Sequence, residues 1–327
     1  SMPATVAITV SPVYGNGIAG ADRYATSIAM SQEAFPEGSD SVIVATGKNF
    51  PDALAASGLA GACDAPILLI PPTGMSPGLG AEIARLGATK AYIVGGTGAV
   101  SAQVYESVRT SLGGSQEATR LAGANRYATA DAVAREAIEI LKRDGGHEWS
   151  GRAFLATGRN YPDALVAGPV THATGRVLLL TDTELSAGTA ALLSDAEVGV
   201  TTVTVLGAVS VGAQTAAEAC TDVDMWIVGD DRYGTCCVFA DQYGGPEIAS
   251  WDRLGIATGW NYPDALAAAP LLGRAGSLLL ITPSTYLNGQ IEGVLTTQRD
   301  HISDVYFLGG PSALSPAVRD AVGVALE

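Results

Sequence analysis

ATGKNFPDALAAS begins at Ala45, ATGRNYPDALVAG at Ala156 and ATGWNYPDALAAA at Ala257. Around each copy the same landmarks recur in the same order. GADRYATS at Gly20 returns as GANRYATA at Gly123 and GDDRYGTC at Gly229. PILLIP from Pro66 returns as RVLLLT from Arg176 and SLLLIT from Ser277, and YIVGGTGAVS from Tyr92 as VTVLGAVSVG from Val203 and YFLGGPSALS from Tyr306. The Asp of PDAL moves from 52 to 163 to 264, steps of 111 and 101 residues. That period exceeds the 20 to 50 residues of most solenoid repeats and fits an independent domain. The divisions expected are therefore 1–113, 114–220 and 221–327.

Within the first copy, apolar and β-branched runs that end in glycine or a turn alternate with helical patterns. Helices are expected from Asp22 to Ala34, Pro51 to Ala62, Ser76 to Leu86 and Ser101 to Leu112. Strands are expected at Ser41 to Thr46, Ile67 to Ile70 and Ala91 to Val94. The other copies read alike. Continuous apolar strands between helices indicate a parallel sheet covered on both faces, an α/β fold of three tandem Rossmann-like repeats. The shared motifs fall where strands give way to helices, the edge at which open α/β sheets bind ligands.

Composition bounds the function. With 47% apolar and 16% charged residues and glycines spread through turns, the chain is folded protein, and no apolar run approaches the roughly 20 residues that span a bilayer. A net charge of −15 argues against nucleic acid, whose binding relies on Lys and Arg at phosphates. Cys63, Cys220, Cys236 and Cys237 form no CxxC pair. Free thiols and one disulfide from Cys220 to Cys236 or Cys237 both remain open. Ser1 and Met2 read as the remnant of a trimmed tag, and no signal peptide is visible.

Most letters of ATGxNxPDAL have a structural use. Gly47, Gly158 and Gly259 end strands, Pro51, Pro162 and Pro263 suit a first helical turn, and Asp52, Asp163 and Asp264 suit the positive end of the helix dipole. Asn49, Asn160 and Asn261, each followed by an aromatic, fit either sugar binding or a turn held by the side-chain amide. Asp22, Asn125 and Asp231 read as helix N-caps, as do Ser101, Ser210 and Ser315. Arg23, Arg126 and Arg232 oppose the dipole in all three copies, which calls for an offsetting partner: a carboxylate of PDAL or of a neighbouring repeat, or an anionic ligand.

No catalytic pattern emerges. His147, His172 and His301 occupy unrelated positions, no HExxH or GxSxG is present, and the glycine turns complete no phosphate loop. Neither a cofactor nor a metal is expected.

The ordered segments RYATS, ATGxNxPDALAAS, PILL and VGGxxAVS resemble the cell-wall-binding repeat 2 family of Gram-positive surface proteins over nearly the whole chain. The resemblance implies three units about a pseudo-threefold axis, an S-layer-like anchor that holds an exported protein to an anionic secondary cell-wall polymer or teichoic-acid-like chain, without membrane insertion. It further implies polymer contact at Pro66, Ile67, Leu68 and Leu69 and at nearby basic residues. Only the first copy has the full PILL, and Lys48 and Arg159 are replaced by Trp260 in the third. Because a −15 module repels an anionic polymer beyond about 8 Å, contact needs a local cationic rim or bridging divalent ions, and the rim expected is Arg23, Arg126, Arg232, Lys48 and Arg159, with the three asparagines. An effector domain fused beyond this segment, a carbohydrate-active enzyme with its site at a repeat junction, and a surface adhesin presenting the loops at Asp144–Ser150 and Tyr243–Asp252 stand beside this reading.

Overall fold

The structure, a computed structural model, describes residues 16–114, 116–144 and 148–327. His147, Ser1 and Met2 lie outside them, as does part of the loop from Asp144 to Ser150. The elements run β1 (Asn16–Ile18), α1 (Arg23–Ala34), β2 (Ser41–Thr46), α2 (Pro51–Cys63), β3 (Ile67–Ile70), α3 (Leu79–Leu86), β4 (Lys90–Val94) and α4 (Ala102–Ser111). The second pass is β5 (Glu117–Leu121), α5 (Arg126–Asp144), β6 (Arg152–Thr157), α6 (Pro162–Ala173), β7 (Val177–Thr181), α7 (Ala187–Ser194), β8 (Thr202–Leu206) and α8 (Val211–Glu218). The third is β9 (Asp222–Ile227), α9 (Arg232–Tyr243), β10 (Ser250–Thr258), α10 (Pro263–Arg274), β11 (Ser277–Thr282), α11 (Gly289–Gln298), β12 (Asp304–Leu308) and α12 (Pro316–Leu326).

Three four-stranded parallel sheets result, ordered β3-β2-β4-β5, β7-β6-β8-β9 and β11-β10-β12-β1. The sheets cross the sequence divisions at 113/114 and 220/221: β5 completes the first sheet, β9 the second, and β1 closes the third by pairing with β12. These fourth strands are half exposed and polar, EATRL and DVDMWI, so no continuous apolar run marks them. The helix after each fourth strand then crosses to the next unit. Thus α5 packs on α2 of the first unit and on β7 of the second, and α1 packs on α10 and β3. The chain is a ring whose ends are stitched by β1 and β12.

The axis is made by the PDAL helices. Helices α2, α6 and α10 are buried on every side through Gly61, His172 and Gly273, the pattern of a helix inside a core rather than on its surface. Small residues let them meet: Ala53, Ser57, Ala164, Gly168, Ala265 and Ala269 leave a void of only about 10 Å³ between them. One apolar cluster runs through all three units, and a second fills the outer face of the first unit between its sheet and α3 and α4. No disulfide joins Cys63, Cys220, Cys236 or Cys237. Helix α3 starts at Leu79, after Gly78 in the left-handed region, rather than at Ser76. Among the described residues no helix is long and apolar enough to cross a membrane.

Candidate functional site

In each sheet the chain goes from its first strand to one side and then to the other, so the topological switch lies between β2 and β4, β6 and β8, and β10 and β12. The carboxyl ends of those pairs form a crevice, the usual ligand position in such folds. ATGxNxPDAL builds one wall of each crevice. The strand-end Thr46, Thr157 and Thr258 accept from the amides of Lys48 (3.2 Å), Arg159 (3.2 Å) and Trp260 (3.1 Å). Asn49, Asn160 and Asn261 accept through Oδ1 from the next amide at 3.1, 3.0 and 3.0 Å. Each asparagine thus serves the turn with its oxygen and presents its amide nitrogen at the exposed rim. The prolines occupy the first helical position, as expected.

The arginines fasten the units together. Arg23 donates through Nη1 to the carbonyl of Gly47 in the first unit (2.7 Å) while its guanidinium lies 5.9 Å from the ring of Tyr262 in the third. Arg126 bonds Gly158 (2.6 Å) and faces Phe50 at 5.7 Å, and Arg232 bonds Gly259 and faces Tyr161 at 5.8 Å. The three rings meet on the axis, with centroids 5.4, 5.7 and 5.4 Å apart. Each guanidinium therefore spans two units through a charge-assisted hydrogen bond and a cation–π contact.

The carboxylate of PDAL sits across the junction from the same arginine. Burial raises the pKa of Asp52, Asp163 and Asp264 against the pull of Arg126, Arg232 and Arg23 respectively, Asp264 to about 6. Among the described residues no ion pair joins these groups, so each arginine acts on the carboxylate through space. Opposite each Asp lies a glycine of the second wall, Gly95, Gly207 or Gly309, where a Cβ would overlap the carboxylate.

Beyond this shared frame the corners diverge. Lys48 is exposed and Asn125 caps the facing helix, so the first crevice carries Lys48 and Arg126 against Asp52. In the second, the exposed Arg159 is ion-paired to Asp182. In the third, a cleft of about 400 Å³ is lined by Asp22, Arg23, Trp260, Asn261, Asp264 and Ser284 among others. Pro66, Ile67, Leu68 and Leu69 are buried, the last three in β3, so their side chains offer no surface to a polymer; their repeated apolar character is that of a core strand. His172 is buried in α6 and His301 is exposed in the third unit, far from forming a common site.

Two arginines escape a reading based on repeats. Arg120 on β5 donates to the carbonyl of Gly95 (2.7 Å), and Arg319 on α12 donates to that of Gly309 (2.9 Å). Gly17 stands at the strand register of Arg120, and a Cβ there would meet Arg319 Nη1 at 2.7 Å. The same glycine turn is thus held from two different sequence positions, which leaves no periodic trace.

The chain matches the model of a family described as cell wall binding domain 2 over residues 18–105, 120–216 and 227–319. It is 26% identical over 301 residues to the N-acetylmuramoyl-L-alanine amidase LytC of Bacillus subtilis strain 168, covering 92% of this chain and 56% of that protein. The amidase enhancer of the same organism is 24% identical over 304 residues, covering 93% and 39%. Cwp6 and Cwp8 from Clostridium difficile have the same fold, with TM-scores of 0.81 and 0.82 at 22% identity over 96% of this chain and 48% and 52% of theirs. The chain spans about half the length of these proteins, or less.

Proposed function

The chain belongs to the cell wall binding domain 2 family, and from that membership we propose that it anchors the protein carrying it, outside the cell, to an anionic secondary polymer of a Gram-positive wall. The observation that supports this reading most is the threefold recurrence of one corner, in which the Asp of PDAL and the aromatic before it face an arginine of the next repeat around the ring. Three weak tethered sites raise overall affinity by about 10² to 10⁴ when they engage together. The first crevice, with Lys48 unpaired beside Arg126, is the most cationic and takes the anionic group. Arg23, Arg126 and Arg232 offer the polymer's oxygens, whether charged or hydroxyl, the guanidinium edge left after their carbonyl bond, Arg159 contributes where it leaves Asp182, and Asn49, Asn160 and Asn261 offer their amide nitrogens. The strand from Pro66 to Leu69 supports the corner from behind.

A glycosidase needs two carboxyl groups flanking one bond. Here each junction's raised Asp faces a guanidinium, and the neighbouring Asp22 and Asp231 are occupied capping helices. That favours binding over turnover. An effector fused to this segment, of which the amidase name of one relative is an example for that protein, would be the cargo.

Retention on immobilised wall polymer tests the assignment of charge. Lys48→Glu, an exposed change that leaves the fold intact, is expected to weaken retention about fivefold or more, since a cation near an anionic surface is worth about 1 kcal/mol. Retention equal to that of the unaltered protein contradicts the role given to the first crevice.

A further inference from the structure

Trp260 and Tyr286 are 52% and 55% exposed, and their rings meet edge to face with centroids 6.4 Å apart at 74°. Both are held in place. The amide of Trp260 is bonded to Thr258 Oγ1 (3.1 Å), which also contacts Ser284 Oγ at 2.7 Å, while the carbonyl of Tyr286 accepts from Thr282 Oγ1 (3.3 Å). Thr258 and Thr282 are register partners at the ends of β10 and β11, so two neighbouring strands fix the aromatic pair. Large rings left in water at the mouth of a cleft are a binding feature more than a folding one. In the first and second units the position of Trp260 holds Lys48 and Arg159, and the turns at 71–78 and 182–186 contain no aromatic residue.

The cleft behind Trp260 has the size of a small-ligand site, about 400 Å³. Among its lining residues the one cation, Arg23, stands against two carboxylates, Asp22 and Asp264, and is already bonded to Gly47. An anion meets net repulsion there. A polyol does not: carboxylates accept from hydroxyls, Asn261 offers its amide nitrogen, Ser284 offers a hydroxyl, and an indole face suits the apolar C–H face of a pyranose.

We propose that the third crevice is a neutral-saccharide subsite, in which Trp260 and Tyr286 stack an uncharged pyranose while the first crevice takes the charged group. The proposal rests on the wall-polymer reading and divides that polymer's chemistry between crevices: anionic group at Lys48, sugar ring at Trp260.

The protein contains four tryptophans, so labelling with 5-fluorotryptophan gives one ¹⁹F resonance each, and Trp260→Phe identifies that of Trp260. The probes are maltose, lactose, N,N′-diacetylchitobiose and, separately, glycerol 3-phosphate. The Trp260 resonance is expected to move with at least one disaccharide and to stay with glycerol 3-phosphate, while Trp149, Trp226 and Trp251 stay throughout. Tyr286→Ala, which keeps the reporter, should weaken the disaccharide about tenfold, the loss of one aromatic contact. A Trp260 resonance unmoved by all three disaccharides, or moved equally in Tyr286→Ala, overturns the proposal. Wall retention reads out separately. If the protein fails to sediment with walls while Trp260 still answers to a disaccharide, the anchoring reading fails and the saccharide subsite stands.

Discussion

At Gly95, Gly207 and Gly309 the backbone turns with φ of +107°, +69° and +100°, a region that suits glycine, and the missing side chain is where the PDAL carboxylate sits. Gly309→Ala should therefore cost about 2 kcal/mol in urea unfolding, combining backbone strain with overlap at Asp264. A second residue effect concerns Asp131, buried on α5 with Thr189 Oγ1 donating to it at 2.9 Å, its pKa pushed up to about 6 by burial. Between an unfolded value of about 3.9 and that folded value the native state holds a proton that the unfolded chain has lost. Stability accordingly falls as pH rises across this window and levels off above it. Asp131→Asn should melt higher than the unaltered protein at pH 7.5, and the advantage should vanish below about pH 4. Much of the corner was legible at this scale, because proline, cap and strand-end glycine each answer a local backbone need. The roles of Arg120 and Arg319 were not, since they depend on what the neighbouring strand leaves empty.

Among elements, the PDAL helices decide the architecture. Their all-round apolar surface has no place on a single two-layer unit and requires three units to bury it. The arginine at the start of α5 completes the joint by holding Gly158 of one unit while facing Phe50 of another. Arg126→Ala should destabilise the protein by about 2 kcal/mol in chemical denaturation, the worth of a charge-assisted hydrogen bond lost beside a buried carboxylate. The first-copy helices and strands read from the sequence match the observed ones closely because their apolar runs are continuous and their caps explicit. The fourth strands were missed because a half-exposed edge strand such as DVDMWI has the polarity of a loop. Their absence from the sequence reading also hid the crossing of each following helix into the next unit.

For the whole molecule, β1 against β12 closes the ring together with the packing of α1 on α10, with Gly309 N bonded to Ile18 O at 2.9 Å. Deleting residues 1–18 bares the edge of β12, and bare edges recruit other chains. The truncated protein is expected to melt lower and to associate on light scattering, whereas the full segment stays a single ring. Charge acts at the same scale. On the proposed reading an acidic body of net −15 meets an anionic polymer through its local cations, so wall binding should weaken steeply as salt shortens the screening length. The most direct test of the anchoring account is sedimentation of this segment with purified Gram-positive cell walls before and after chemical removal of their anionic secondary polymer. The account predicts that the protein pellets with intact walls and stays in solution with stripped ones. Equal pelleting with both, or with neither, contradicts it.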